Sequence, residues 1–133
     1  MNKVDIYVRA STKGQAEEGY SIDEQIAMLT SYCSIHKWKV YEIYTDAGFS
    51  GATIDRPALS KLSKDAQKKR FNTVLVYDLK RLGRSQHNNI AFIEDVLEKN
   101  DIGFISLTEN FDTSRKSHGG YLIRLWSTRQ RHH

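Results

Sequence analysis

Arg9, Ser11, Gln15, Ser50, Arg56, Arg81 and Arg84 are the residues of this chain whose types and spacing suit chemistry. In "YVRASTKGQ" (7–15) an apolar run breaks off at an arginine and two hydroxyls, and in "KRLGR" (80–84) two arginines stand three apart around a glycine. Arginine offers a rigid fork of donors that matches phosphate oxygens, and charge-assisted hydrogen bonds of this kind are strong. Four arginines and a hydroxyl brought together make a poor core and a good anion site. Phosphoryl chemistry without a metal needs its developing charge held by fixed cations and dipoles, which such a cluster supplies. At a helix N-terminus Arg81 and Arg84 would share a face, with unpaired backbone N–H groups adding to the attraction. Read one at a time, Ser11 is a loop or capping hydroxyl and Arg9 and Arg56 are surface ion-pair partners. Their convergence is what would make them a site.

No metal or cofactor is expected beside them. His36, His87, His118, His132 and His133 show no ligand spacing with each other or with Cys33. Neither GxxxxGK[ST] nor GxGxxG occurs, so nucleotide binding has no motif.

The positioning elements follow from periodicity. "KVDIYV" (3–8) alternates and predicts a first strand. Ile22, Ile26, Leu29, Cys33 and His36 recur at helical spacing, and Ser21 with Glu24 forms a capping-box pattern at the helix start. "WKVYEIYT" (38–45) predicts a second strand, and Pro57 suits the first turn of a helix running to about Ala66. "FNTVLVYDL" (71–79) is the most apolar strand and is expected at the sheet centre. Ser85 should cap a helix over 86–98 with Asn100 past its end, and "IGFISLT" (102–108) is a further strand. The alternation predicts an α/β fold of three layers, a mostly parallel central sheet of four to five strands with helices on both faces. In such sheets ligands bind beyond the carboxyl ends of the strands. The loops 9–15, 46–56 and 80–84 all follow strand ends, so they can meet at one edge.

The bulk properties agree. At 133 residues, 39% hydrophobic and 27% charged, the chain reads as one globular domain able to bury a core. A net charge of +4 leans toward an anionic partner, with basic residues gathered at 64–70, 80–84 and from Arg115 onward. No apolar run approaches the ~20 residues of a membrane span. The N-terminal segment is interrupted by Asp5 and Arg9 and is no signal peptide, and a lone Cys33 forms no internal disulfide, so the expected compartment is the cytoplasm.

Four blocks, "YVRASTKGQAEEGYSIDEQ", "YTDAGFSGATIDRPAL", "VLVYDLKRLGRS" and "ISLTENFDTS", resemble in order the signature blocks of the serine recombinase catalytic domain. The likeness is nearest to large serine integrases and extends to the resolvase/invertases. The resemblance implies a resolvase-like fold and site-specific DNA recombination without metal or ATP. It makes Ser11 the nucleophile, attacking a DNA phosphodiester to release a 3′-hydroxyl and keep the 5′-phosphate as a phosphoserine bond. It makes Arg9, Arg56, Arg81 and Arg84 phosphate-binding, and Gln15, Gln25, Asp46 and Ser50 supporting residues. It also implies double-stranded DNA as partner and a homo-oligomer, dimer to tetramer, in the full-length protein.

Two departures stand out. Where the family block usually reads "LDRL[SG]RS", this chain has "LKRLGRS", so Lys80 replaces the acidic residue. A buried lysine there would be repelled by Arg81 and Arg84; Lys80 would instead bind phosphate or mark a weakened enzyme. Asp78 is not read as its replacement. After residues 1–114, the tail 115–133 keeps only a faint likeness to the start of the family's long dimerisation helix. A truncated tail or a changed frame near Ser114 is expected, and this chain alone is not expected to recombine two sites. The alternatives are a DNA-associating remnant without activity, or another metal-free phosphoryl-transfer or phosphate-binding α/β domain.

Overall fold

Seven described strand and helix segments alternate before the chain turns back on itself at the sheet's far edge. The structure is a computed structural model and describes residues 2–10, 20–47, 56–83 and 85–113. Strands β1 (Lys3–Ala10), β2 (Lys39–Ala47), β3 (Thr73–Val76), β4 (Gly103–Ser106) and β5 (Phe111–Asp112) form one sheet in the order β2-β1-β3-β4-β5. The first four run parallel and β5 runs antiparallel to β4. Helix α1 (Ile22–Ile35) covers one face, where Leu29 and Cys33 meet Val4, Ile6 and Val8. Helices α2 (Pro57–Ala66) and α3 (Gln86–Ala91, continuing to Asn100) cover the other, with Leu62, Ile93 and Leu97 against Tyr7, Val74 and Phe104. Each fully buried aliphatic side chain contributes about 1.5–3 kcal/mol, so the two layers hold the sheet rigid. Among the described residues no helix is long and apolar enough to cross a membrane.

The helix starts obey local chemistry. Ser21 Oγ accepts from Glu24 N at 3.2 Å and Glu24 Oε1 from Ser21 N at 3.1 Å, the reciprocal cap of α1. Pro57 opens α2, and Ser85 Oγ accepts from Asn88 N at 3.2 Å to open α3. His36, expected on the apolar stripe of α1, is instead its exposed C-cap, stacked 4.7 Å from the Trp38 ring.

The elements differ from the expected spans for physical reasons. β3 is wholly buried at the sheet centre, as expected, but spans 73–76 rather than 71–79. Phe71 and Leu79 are apolar because they are core anchors flanking the strand, and Leu79 already begins a 3₁₀ turn (Leu79–Arg81). α3 widens into a π-type turn over Phe92–Leu97 and closes in a 3₁₀ turn that contains Asn100, whose Nδ2 donates to Val96 O at 2.7 Å. The stop lies one residue on, at Asp101, in the left-handed region at φ 59°. β4 ends at Ser106 rather than Thr108, because the chain turns through Asn110 (φ 57°) into the unanticipated β5.

β1 and β2 each run two residues further than expected, and the site depends on this. A bulge between Val4 and Asp5 shifts the register from Val4↔Val40 to Asp5↔Glu42, leaving Tyr41 over. Beyond it Tyr7 pairs with Tyr44 and Arg9 with Asp46, so Asp5, Tyr7 and Arg9 share a face with Glu42, Tyr44 and Asp46. Arg9 and Asp46 are therefore strand residues, not loop residues.

Candidate active site

Three arginines converge at the carboxyl ends of β1 and β3, all almost completely buried: Arg9 (2% exposed), Arg56 (4%) and Arg81 (1%). Each is delivered by a different element. Arg9 is the penultimate residue of β1, Arg56 the residue before α2, and Arg81 the last residue of the 3₁₀ turn after β3. The turn's backbone holds the other two. Arg81 O accepts from Arg9 Nε at 3.3 Å and from Arg56 Nη1 at 2.8 Å, and Lys80 O accepts from Arg9 Nη2 at 2.8 Å. Arg81 in turn donates from Nη1 to Arg9 O at 3.3 Å. Charge-assisted bonds of this kind fix guanidinium planes as well as positions.

Gln25, Tyr7 and Asp46 brace the cluster. Past Ile6 the described pairing of β1 with β3 ends, so the backbone of Arg9 needs other partners. Gln25, fully buried on α1, supplies them: its Oε1 accepts from Arg9 N at 3.4 Å and its Nε2 donates to Arg9 O at 3.0 Å. The same amide donates to Tyr20 O at 3.0 Å. On the other side Tyr7 donates its hydroxyl to Asp46 Oδ2 at 2.8 Å, and Arg56 Nη1 donates to that hydroxyl at 3.3 Å. Asp46 also accepts from Ala58 N at 2.9 Å and Leu59 N at 3.1 Å. The N-cap position of α2 is Arg56, which makes no side-chain cap, so a carboxylate from β2 caps the helix instead. Asp46 thus fixes α2, and with it Arg56, against the sheet.

The electrostatics follow from burial. Among the described residues three arginines face two carboxylates, Asp46 and Asp78, the latter 3.4 Å from Arg81 Nε. Burial pulls the Arg56 guanidinium below its ordinary value, with Tyr7 opposing and Arg9 adding. Burial pushes the Tyr7 hydroxyl up, opposed by Arg56 and reinforced by Asp46, so it remains a donor at neutral pH. Arg56 Nε is buried and donates to nothing among the described residues. A rigid cluster of three guanidinium groups suits an anion with several oxygens.

A family model described as "Resolvase, N terminal domain" matches residues 4–132. The chain belongs to the resolvase N-terminal domain family. It is similar to the solved N-terminal catalytic domain of TP901-1 integrase, with 47% identity, a TM-score of 0.85, and coverage of 96% of this chain and 94% of that one. It is 34% identical to the serine recombinase gin of Escherichia phage Mu over 108 residues, 81% of this chain and 48% of that protein. A Bacillus subtilis (strain 168) relative is 39% identical over 113 residues, 84% of this chain but 21% of its own length. The chain therefore spans about half or less of these curated relatives.

Within this resolvase-family domain, Arg9, Arg56, Arg81, Gln25 and Asp46 are together at one sheet edge. Ser11, Gln15, Ser50 and Arg84 lie outside the described residues, as does the tail 115–133. Ser11 follows β1 directly in the chain, and Arg84 follows the buried Gly83. Arg81 stands in a separate 3₁₀ turn ahead of α3, not at that helix's N-terminus. Lys80 is exposed rather than buried against Arg81, and its carbonyl accepts from Arg9. Three residues of the site escaped the sequence reading. Tyr7 had a signal, being two residues before Arg9 on the same strand face. Asn89 had none: its buried Nδ2 donates to Leu79 O (3.3 Å) and Gly83 O (2.9 Å), pinning the loop that carries Arg81. Asp78 was seen and set aside.

Proposed function

We propose that this domain is the catalytic part of a site-specific DNA recombinase in which Ser11 attacks a DNA phosphodiester. The observation that carries this reading is the set of three buried arginines at the strand ends, with Ser11 next in the chain after Ala10, the last residue of β1. The serine oxygen forms a bond to phosphorus, the 3′-oxygen leaves and takes a proton, and the 5′-phosphate stays on the enzyme as a phosphoserine ester. Phosphate oxygens carry the developing charge, and rigid guanidinium donors hold it without metal or ATP. Arg9, Arg56, Arg81 and Arg84 are assigned to the phosphate, and Arg56 Nε is a buried donor with no acceptor among the described residues. Gln15 and Ser50 support the phosphate directly, whereas Gln25 and Asp46 support the arginines. Attack by a free 3′-hydroxyl of another strand reverses the step, so bond energy is conserved through strand exchange. The acting form is a homo-oligomer, dimer to tetramer, of the full-length protein on duplex DNA.

The test uses this chain joined to the DNA-binding part of a relative and offered that relative's site. The scissile link is made as a 3′-bridging phosphorothiolate, whose thiol leaving group is a poor re-attacker. A covalent protein–DNA adduct that is absent in Ser11→Ala supports the reading. No adduct from the unaltered chain refutes it and leaves a DNA-associating remnant.

A further inference from the structure

The carboxylate that the family block places at residue 80 is missing, yet Arg81 is still held by an acid. Asp78 Oδ1 lies 3.4 Å from Arg81 Nε, with the side chains 16% and 1% exposed. The geometry of the turn explains why position 78 serves. Arg81 N donates to Asp78 O at 3.2 Å, closing a 3₁₀ turn. With about three residues per turn, positions i and i+3 eclipse while i+2 lies roughly a third of a turn away. Residue 78 therefore sits over Arg81, and residue 80 points out, where Lys80 is exposed.

The carboxylate is also released for this task. Asp78 is the N-cap of the turn, in extended backbone, but makes no capping bond. Glu109, from the turn between β4 and β5, caps in its place by accepting from Leu79 N at 3.3 Å through Oε2, while its Oε1 accepts from the Ser106 hydroxyl. The backbone carbonyl of Arg81 holds Arg9 and Arg56, and the Arg81 guanidinium, which Asp78 faces, donates to Arg9 O, so the same turn carries both sets of contacts.

We propose that Asp78 is a positioning residue for Arg81, holding its guanidinium from two residues upstream of Lys80. This rests on the strand-transfer reading above. The groups that face Asp78 among the described residues are Arg81 and Lys80 on the turn and Glu109 from the neighbouring one. Burial raises the Asp78 carboxyl, Arg81 opposes, and Glu109 adds to the rise. The anion that holds Arg81 is thus lost as pH falls, giving the reaction an acid limb above the ordinary carboxylate range.

The experiment measures single-turnover adduct formation across pH in Asp78→Asn, Asp78→Glu and Glu109→Gln. Asp78→Asn should slow the step at least ~30-fold at saturating DNA, as for loss of one charge-stabilising group, with DNA affinity little changed. Asp78→Glu should recover most of the rate, and Glu109→Gln should move the acid limb to lower pH. Equal rates in Asp78→Asn and parent, or an acid limb that ignores Glu109→Gln, overturn the proposal. A second measurement is independent of turnover: the Arg81 Nε–H resonance should be shielded from exchange in the parent and Asp78→Glu and exposed in Asp78→Asn. If the parent forms no adduct, the strand-transfer reading fails and this resonance decides the Asp78–Arg81 assignment: shielding lost only in Asp78→Asn upholds it, shielding unchanged rejects it.

Discussion

Replacing Asp5 with asparagine should stabilise this domain at alkaline pH and do little in acid. Asp5 is fully buried on the α2-facing side of β1, and neither carboxylate oxygen accepts a hydrogen bond among the described residues. The Tyr44 hydroxyl on the same sheet face donates to Asp65 at 2.7 Å. Glu42 stands opposite Asp5 in register and is itself paired with Lys61 at 3.0 Å. Burial accordingly lifts the Asp5 carboxyl from an ordinary 3.8 to about 7, with Tyr44 opposing and Glu42 and Asp65 adding. A folded-state value above the unfolded one means that the native state binds the proton more tightly. The native state therefore gains nothing from ionisation between about 4 and 7 while the unfolded chain does, and stability falls as pH rises through that window. Above about 7 the loss is complete. At about 1.36 kcal/mol per pH unit its upper bound is about 4 kcal/mol. Urea denaturation of parent and Asp5→Asn at pH 4.5 and pH 8.5 measures it. The asparagine should be more stable by about 2–4 kcal/mol at the higher pH, with unchanged m, and the two proteins should converge in acid. A difference independent of pH, or an asparagine variant less stable at pH 8.5, would refute the reasoning.

Asp46→Ala removes the surrogate cap of α2 and the acceptor of the Tyr7 hydroxyl, so thermal unfolding should show a loss of at least 1–2 kcal/mol, on the order of a strong N-cap. Gln25→Leu keeps the volume but leaves Arg9 N and O without their side-chain partner; stability should fall by about 1–3 kcal/mol in denaturant titration, and adduct formation should slow. Nonspecific DNA binding should weaken steeply with salt, with a slope of about −0.9 per phosphate neutralised, and fluorescence anisotropy at several salt concentrations gives that slope.

Much of this was legible from local pattern, and the exceptions share a cause. The α1 cap at Ser21, the Pro57 start of α2 and the central place of β3 all follow from side chains acting on their own segment. Arg9 and Asp46 were read as loop residues because their strand pairing lies beyond a bulge between two strands distant in sequence, and no periodicity reveals it. Asp46 capping a helix on another element, and Glu109 capping the turn at Leu79, are likewise tertiary replacements for local signals. Gln25 carried its role only through family resemblance; its spacing on α1 gives no hint that its amide completes a strand. Whether Lys80 would meet repulsion turned on its burial, which the sequence does not give; its side chain is exposed.

The central claim is the covalent bond at Ser11, and peptide mapping of the trapped adduct tests it most directly. Trypsin acting after Arg9 and Lys13 releases "ASTK" (10–13), which holds only two hydroxyls, Ser11 and Thr12. After nuclease trimming, fragmentation should place a nucleotide 5′-phosphate on Ser11. A nucleotide on Thr12 or on any other peptide would contradict the account.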